Sequence, residues 1–161
     1  MATQAPSLDR VTPRYRTPNV LVRRNGVLLA ATMAVTFVLL RVALHTSPDS
    51  DFNVAGYNVH HLFTGLLLVA AGGIPLAIFR GSTLRLDASL MLFGAGLGMA
   101  LDEWVYLIAT DGTNASYLLP VSVWGGVTVV GLACLYTVVL VALRHRRRGA
   151  VQGRQPVRDA K

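Results

Sequence analysis

Charge is scarce in this chain. Charged residues are 14% of its 161 positions, where a soluble domain carries about 25%. So few charges cannot cover a water-facing surface, which excludes a soluble globule of this length. Lysine is close to absent, with arginine outnumbering it fourteen to one. Together with abundant alanine, valine and leucine, that usage points to a GC-rich bacterial genome. The single cysteine, Cys134, excludes an internal disulfide and paired-thiol redox chemistry. It stands in an apolar run, where a thiol serves as a small packing group. No His-x-x-x-His spacing occurs, and Ser122 lacks a Gly-x-Ser-x-Gly setting, so zincin and hydrolase signatures are missing. The glycines at 94, 96 and 98 follow no strand, which excludes a dinucleotide loop.

What the chain does contain is apolar sequence: 53% hydrophobic residues and a mean hydropathy of +0.50. Four runs stand out, at about 25–45, 59–79, 87–109 and 121–143. Each has the roughly 20 residues that cross a hydrocarbon layer of about 30 Å. The fold class is therefore an all-α integral membrane protein, a four-transmembrane-helix bundle. Four spans consume half the chain and leave no room for a folded soluble domain. Residues 1–24 read as a basic, partly disordered arm, 25–143 as the membrane domain and 144–161 as a basic tail. The first run starts too late, and ends without the small-residue site, that a signal peptide requires. Pro75 removes a hydrogen bond within the second run and predicts a bend there.

The few charges are sorted by position. Five basic residues precede the first span, Arg80 and Arg85 flank the middle loop, and seven follow the fourth span. The loops 46–58 and 110–120 contain none. The positive-inside rule then puts both termini in the cytoplasm, N-in and C-in, and those two loops outside. A plasma (inner) membrane location in a bacterium follows. The net charge of +7 is explained by orientation and by anionic headgroups of the bilayer as partners, and nucleic acid is not expected. The triplet Asn114-Ala115-Ser116 matches a glycosylation signal and is read as chance.

Ionisable groups inside a span are costly and mark function. Here they are Arg41, His60, His61, Asp102 and Glu103. Counting ~1.5 Å per residue from the cytoplasmic end puts Arg41 near 25 Å, Asp102 and Glu103 near 22–24 Å and the histidines near 28–30 Å. The groups converge on one layer in the outer third of the membrane, with Tyr106 near 28 Å. Gly94, Gly98, Asp102 and Tyr106 follow at i, i+4 spacing and form one stripe. Gly94 and Gly98 admit a close helix, which predicts that Asp102 faces the bundle and that Glu103 turns toward a different neighbour or the outer interface.

Three readings compete for this layer. In the first, Arg41 pairs with Asp102 or Glu103 as a structural contact. In the second, His60, His61, Asp102 and Glu103 hold a divalent metal or other cation, since imidazole and carboxylate suit zinc, iron or manganese. The third is acid–base chemistry, with a histidine as base and a carboxylate as acid, although no catalytic residue is specified. The expected function is a small non-enzymatic inner-membrane protein with an outward-facing polar site for a cation or small ligand, working as an accessory subunit. A membrane-embedded enzyme and a purely structural scaffold are the alternatives. Glycine-rich faces also imply a homo- or hetero-oligomer within the membrane.

Overall fold

The computed structural model describes residues 18–47, 53–54, 57–58, 61–79 and 83–152. Helix α1 runs Pro18–Thr46, followed by the two-residue strands β1 (Asn53–Val54) and β2 (Tyr57–Asn58). These pair antiparallel, with Asn53 opposite Asn58 and Val54 opposite Tyr57. Next come α2 (His61–Ile78), α3 (Thr83–Ala109), the short α4 (Asn114–Tyr117) and α5 (Pro120–Gln152). Four of the helices are long and apolar enough to cross a membrane. Even the shortest of them, α2 with 18 residues, extends about 27 Å.

Three helices outrun the apolar runs that announce them. α1 begins at Pro18 rather than near residue 25, α3 at Thr83 rather than 87, and α5 continues through Arg144 as far as Gln152. Hydropathy marks the hydrocarbon slab, whereas a backbone helix persists wherever its own hydrogen bonds are made. α1 and α5 both open on proline, whose missing N–H costs nothing in the first turn. α2 stays helical through Pro75. The expected arm over 1–17, His60, Arg80 and the end of the tail beyond 152 lie outside the described residues.

The four long helices do not form a square. α3 is the hub and packs against α1, α2 and α5; α1 also packs against α5, whereas α2 rests essentially on α3 alone. The glycines of α3 explain the arrangement. Positions 94 and 98 lie on one face, and position 96 is turned 200° from 94, on the opposite face. A Cβ on Gly94 would lie 2.9 Å from the Leu29 carbonyl oxygen, and one on Gly98 2.6 Å from that of Met33, so both press against α1. A Cβ on Gly96 would instead lie 2.5 Å from the Gly65 carbonyl oxygen of α2. Gly72 is equally tight, with a Cβ there running into the Phe93 backbone nitrogen. The run therefore makes two helix seams, one on each side.

Burial is the inverse of a water-soluble protein. The described core contains Ser89, Asp102, Glu103, Ser116 and Ser122 beside only a few apolar side chains, Met33 and Tyr106 among them. Leu67, Ile78, Ile108, Trp124 and Leu132 all face outward. Such a pattern, with small residues and polar contacts at the interfaces and apolar residues outside, is the one expected of helices in a bilayer, where no hydrophobic drive acts between them.

Candidate functional site

α1 and α3 run parallel, and α2 and α5 run antiparallel to them. The end shared by Thr46, His61, Ala109 and Pro120 is here the hairpin side. Arg41, one helical turn and a residue before the end of α1, points its side chain back toward Phe37, as helix geometry favours. Its guanidinium carbon lies 5.7 Å from the Phe37 ring centre and 4.2 Å from that of Tyr117.

Every donor of this guanidinium is taken. Nε and Nη2 donate to Oδ1 of Asp102 at 2.8 and 2.5 Å. Nη1 donates to the Tyr117 carbonyl oxygen at 2.8 Å and to Oγ of Ser122 at 3.2 Å. Nη2 also reaches the Ser122 carbonyl oxygen at 3.1 Å. A guanidinium has five N–H groups, and these acceptors provide for all of them. On the other partner, Oδ2 of Asp102 accepts the phenol hydroxyl of Tyr117. Asp102 and Ser122 are 0% exposed. The cluster thus joins α1, α3 and the corner between α4 and α5.

The corner is made for a cation. α4 is a single turn whose last residue, Tyr117, directs its carbonyl at Arg41, and Pro120 then starts α5. Ser122 and Gly126 follow one turn apart on the inner face of α5. A Cβ on Gly126 would fall 2.6 Å from Oδ1 of Asp102 and 3.0 Å from Nη2 of Arg41, so the ion pair fits only because that position is glycine. Tyr106 is 2% exposed and meets Tyr117 edge to face, with ring centres 5.0 Å apart. Burial, followed by the charge of Asp102, pushes the Tyr117 phenol far above its ordinary range. It remains a donor. In the neighbouring loop, Asp111 is held below its ordinary value by the Ser116 hydroxyl and by the Thr113 backbone and hydroxyl groups.

Glu103 belongs to a second arrangement. It is buried at 2% exposure and accepts the backbone N–H of Leu62 at the start of α2. α2 has no acidic residue of its own in the first turn, so α3 supplies the negative group that a helix N-terminus favours. His61 opens α2 and is partly buried. Its side chain makes no hydrogen bond among the described residues.

The candidates therefore divide. The structure brings Arg41, Asp102 and Tyr106 to one cluster and sends Glu103 to the start of α2. The expected metal site on His60, His61, Asp102 and Glu103 gains no support: among the described residues, which do not include His60, no group of three or more His, Cys, Asp or Glu could hold an ion. The reason is physical. Both oxygens of Asp102 are occupied by Arg41 and Tyr117, Glu103 turns to α2, and His60 lies outside the described residues. Sequence reasoning missed Tyr117, Ser122 and Gly126. The i, i+4 relation of Ser122 and Gly126, a hydroxyl one turn before a glycine at the depth of Arg41, was the available signal. No signal marked Tyr117, which reads as a loop residue.

No protein-family model matches the chain, and no significant similarity joins it to a curated protein or a solved structure. Fold and site define a class only: a small all-helical protein with four helices long and apolar enough to cross a membrane.

Proposed function

We propose that this chain is a non-enzymatic, multi-pass inner-membrane protein, with both termini cytoplasmic, that serves as a scaffold or accessory subunit. Its polar layer at the hairpin side is a structural latch. One observation carries the reading: the Arg41–Asp102 pair sits at the centre of the cluster with its donors and acceptors already satisfied by the protein itself. A catalytic carboxylate, or one that binds a cation, needs a free oxygen directed at a cavity, and Asp102 is fully buried. Buried ion pairs can be exchanged for apolar residues without loss of fold, and that supplies the test.

The paired replacement Arg41→Met with Asp102→Leu is put into a strain deleted for the native chain, and the deletion phenotype is scored. A latch predicts complementation at normal membrane abundance, with the same partners in an affinity purification. Loss of complementation by abundant, correctly inserted double variant would show that the charges act on a ligand or reaction, and the scaffold reading would fall.

A further inference from the structure

At the opposite end of the molecule, α1, α3 and α5 leave an open groove, a cavity of about 370 Å³. Its floor is Met33 with Leu97 and Ala133, and its walls are Leu29, Phe93 and Leu140. Thr137 also lines it, but its hydroxyl donates to the Ala133 carbonyl at 2.9 Å, so that wall offers no free donor. From Met33 to Val22 the groove follows eleven residues of α1, about 16 Å, which is the depth of one leaflet. A second cavity of about 320 Å³ continues from it past Val22 and Val141 to Arg23, Arg144 and His145. Arg144 lines both cavities. Among the described residues neither Arg23 nor Arg144 has a carboxylate partner, in contrast to Arg24, which is paired with Asp87.

We infer that this groove is a binding site for an anionic phospholipid, with one acyl chain against α1, α3 and α5 and the phosphate held by Arg23, Arg144 and His145. The apolar part disfavours a polar metabolite, since apart from the Tyr136 hydroxyl and Arg144 at the mouth its lining supplies no donor to replace water. The mouth selects a negative headgroup by charge complementarity, as basic recesses between membrane helices do on the positive side. Two arginines from different helices fix the phosphate between them, so the lipid also bridges α1 and α5 where, among the described residues, no ion pair joins them. The inference rests on the membrane reading above and is independent of the scaffold role.

The test uses the full chain, purified in detergent and stripped of lipid. It is offered equal amounts of phosphatidylglycerol and phosphatidylcholine with identical acyl chains, and retained lipid is read by native mass spectrometry. One phosphatidylglycerol per chain is expected, preferred over phosphatidylcholine by about tenfold. The double variant Arg23→Gln with Arg144→Gln, at exposed positions that leave the fold intact, is expected to abolish the preference. The control Arg146→Gln with Arg147→Gln, equal in charge removed, is expected to keep it. Ala133→Phe, which fills the floor, is expected to lower retention of both lipids without changing the preference. Equal retention of the two lipids, or equal loss in both arginine double variants, would show only diffuse attraction to a basic surface and overturn the site. Displacement by glycerol 3-phosphate alone would also overturn it, because the acyl groove would then contribute nothing.

Discussion

α1 and α3 are joined by two arginine–aspartate pairs, one near each end. Arg24 meets Asp87 and Arg41 meets Asp102, both with 2.5 Å between nitrogen and oxygen. By distance they are the same interaction. By setting they are opposites. The first pair has side chains 33% and 26% exposed, and the second 11% and 1%. Arg24 also leaves its Nε buried without a partner, as is Oδ1 of the adjacent Asn25, whereas Arg41 uses every donor. A charge pair is therefore worth what its surroundings make of it: Arg24–Asp87 is a partly wet staple, and Arg41–Asp102 is the centre of a closed network. Along the axis the arginines are separated by about 25 Å and the aspartates by about 22 Å. The back-folded side chain of Arg41 takes up the difference.

The contrast can be broken experimentally, beginning with the inner pair. Arg41→Ala is expected to destabilise by roughly 3–5 kcal/mol, because it strands Asp102 without its counterion. Arg41→Met combined with Asp102→Leu is expected to recover much of this in thermal unfolding in detergent. Additive losses from the two single changes would dissolve the pairing. Gly126→Ala comes next. Its methyl group would overlap Asp102 and Arg41, and overpacking of this kind costs typically about 1–3 kcal/mol. The same change at Gly131, where a Cβ meets nothing within 4 Å, is the control and is expected to be neutral.

Tyr117→Phe removes one hydrogen bond from Asp102 and is expected to cost about 1–3 kcal/mol, the desolvation of an acceptor left short. It carries a pH signature. The folded phenol is raised above its ordinary value of 10.0, so its contribution is complete below that value and is lost only as pH rises through the folded one. An absorbance titration of native protein minus Tyr117→Phe should accordingly show no tyrosinate near pH 10, and a normal signal there would contradict the burial. The smallest effect belongs to the outer pair. Arg24→Gln is expected to cost less than about 1 kcal/mol, and that cost should fade in high salt, whereas the loss from Arg41→Ala should not.

How much of this was legible in the sequence depends on the kind of signal. Apolar runs of about 20 residues announce four helices because hydrocarbon admits no unpaired backbone. The same reasoning underestimates α1 and α5, whose ends leave the apolar region while staying helical. Arg41 and Asp102 were visible as charges at similar depth, since cost inside a span makes each one conspicuous. Glu103 was visible too, yet its partner is a backbone N–H, and every residue but proline has one. Tyr117, Ser122 and Gly126 were obscured because hydropathy says nothing of how a short turn folds back over the helix ends. The glycines of α3 were recognised as packing residues, but the seam at Gly96 emerges only from the 200° between alternate positions.

The proposed latch implies a history in each molecule. A chain made from its N-terminus presents Arg41 first, while Asp102 lies 61 residues later and the acceptors on Tyr117 and Ser122 lie 76 and 81 residues later. Until then α1 has a bare cation close to its end, tolerable because a long side chain there can reach the interface. Arrival of α3 neutralises it, but only the α4–α5 corner seals it from water. On the proposed latch, assembly would then have a built-in last step. A chain cut short before α5 would keep its ion pair and lose its lid, and a cell that monitors exposed charge in its membrane could tell the unfinished protein from the finished one.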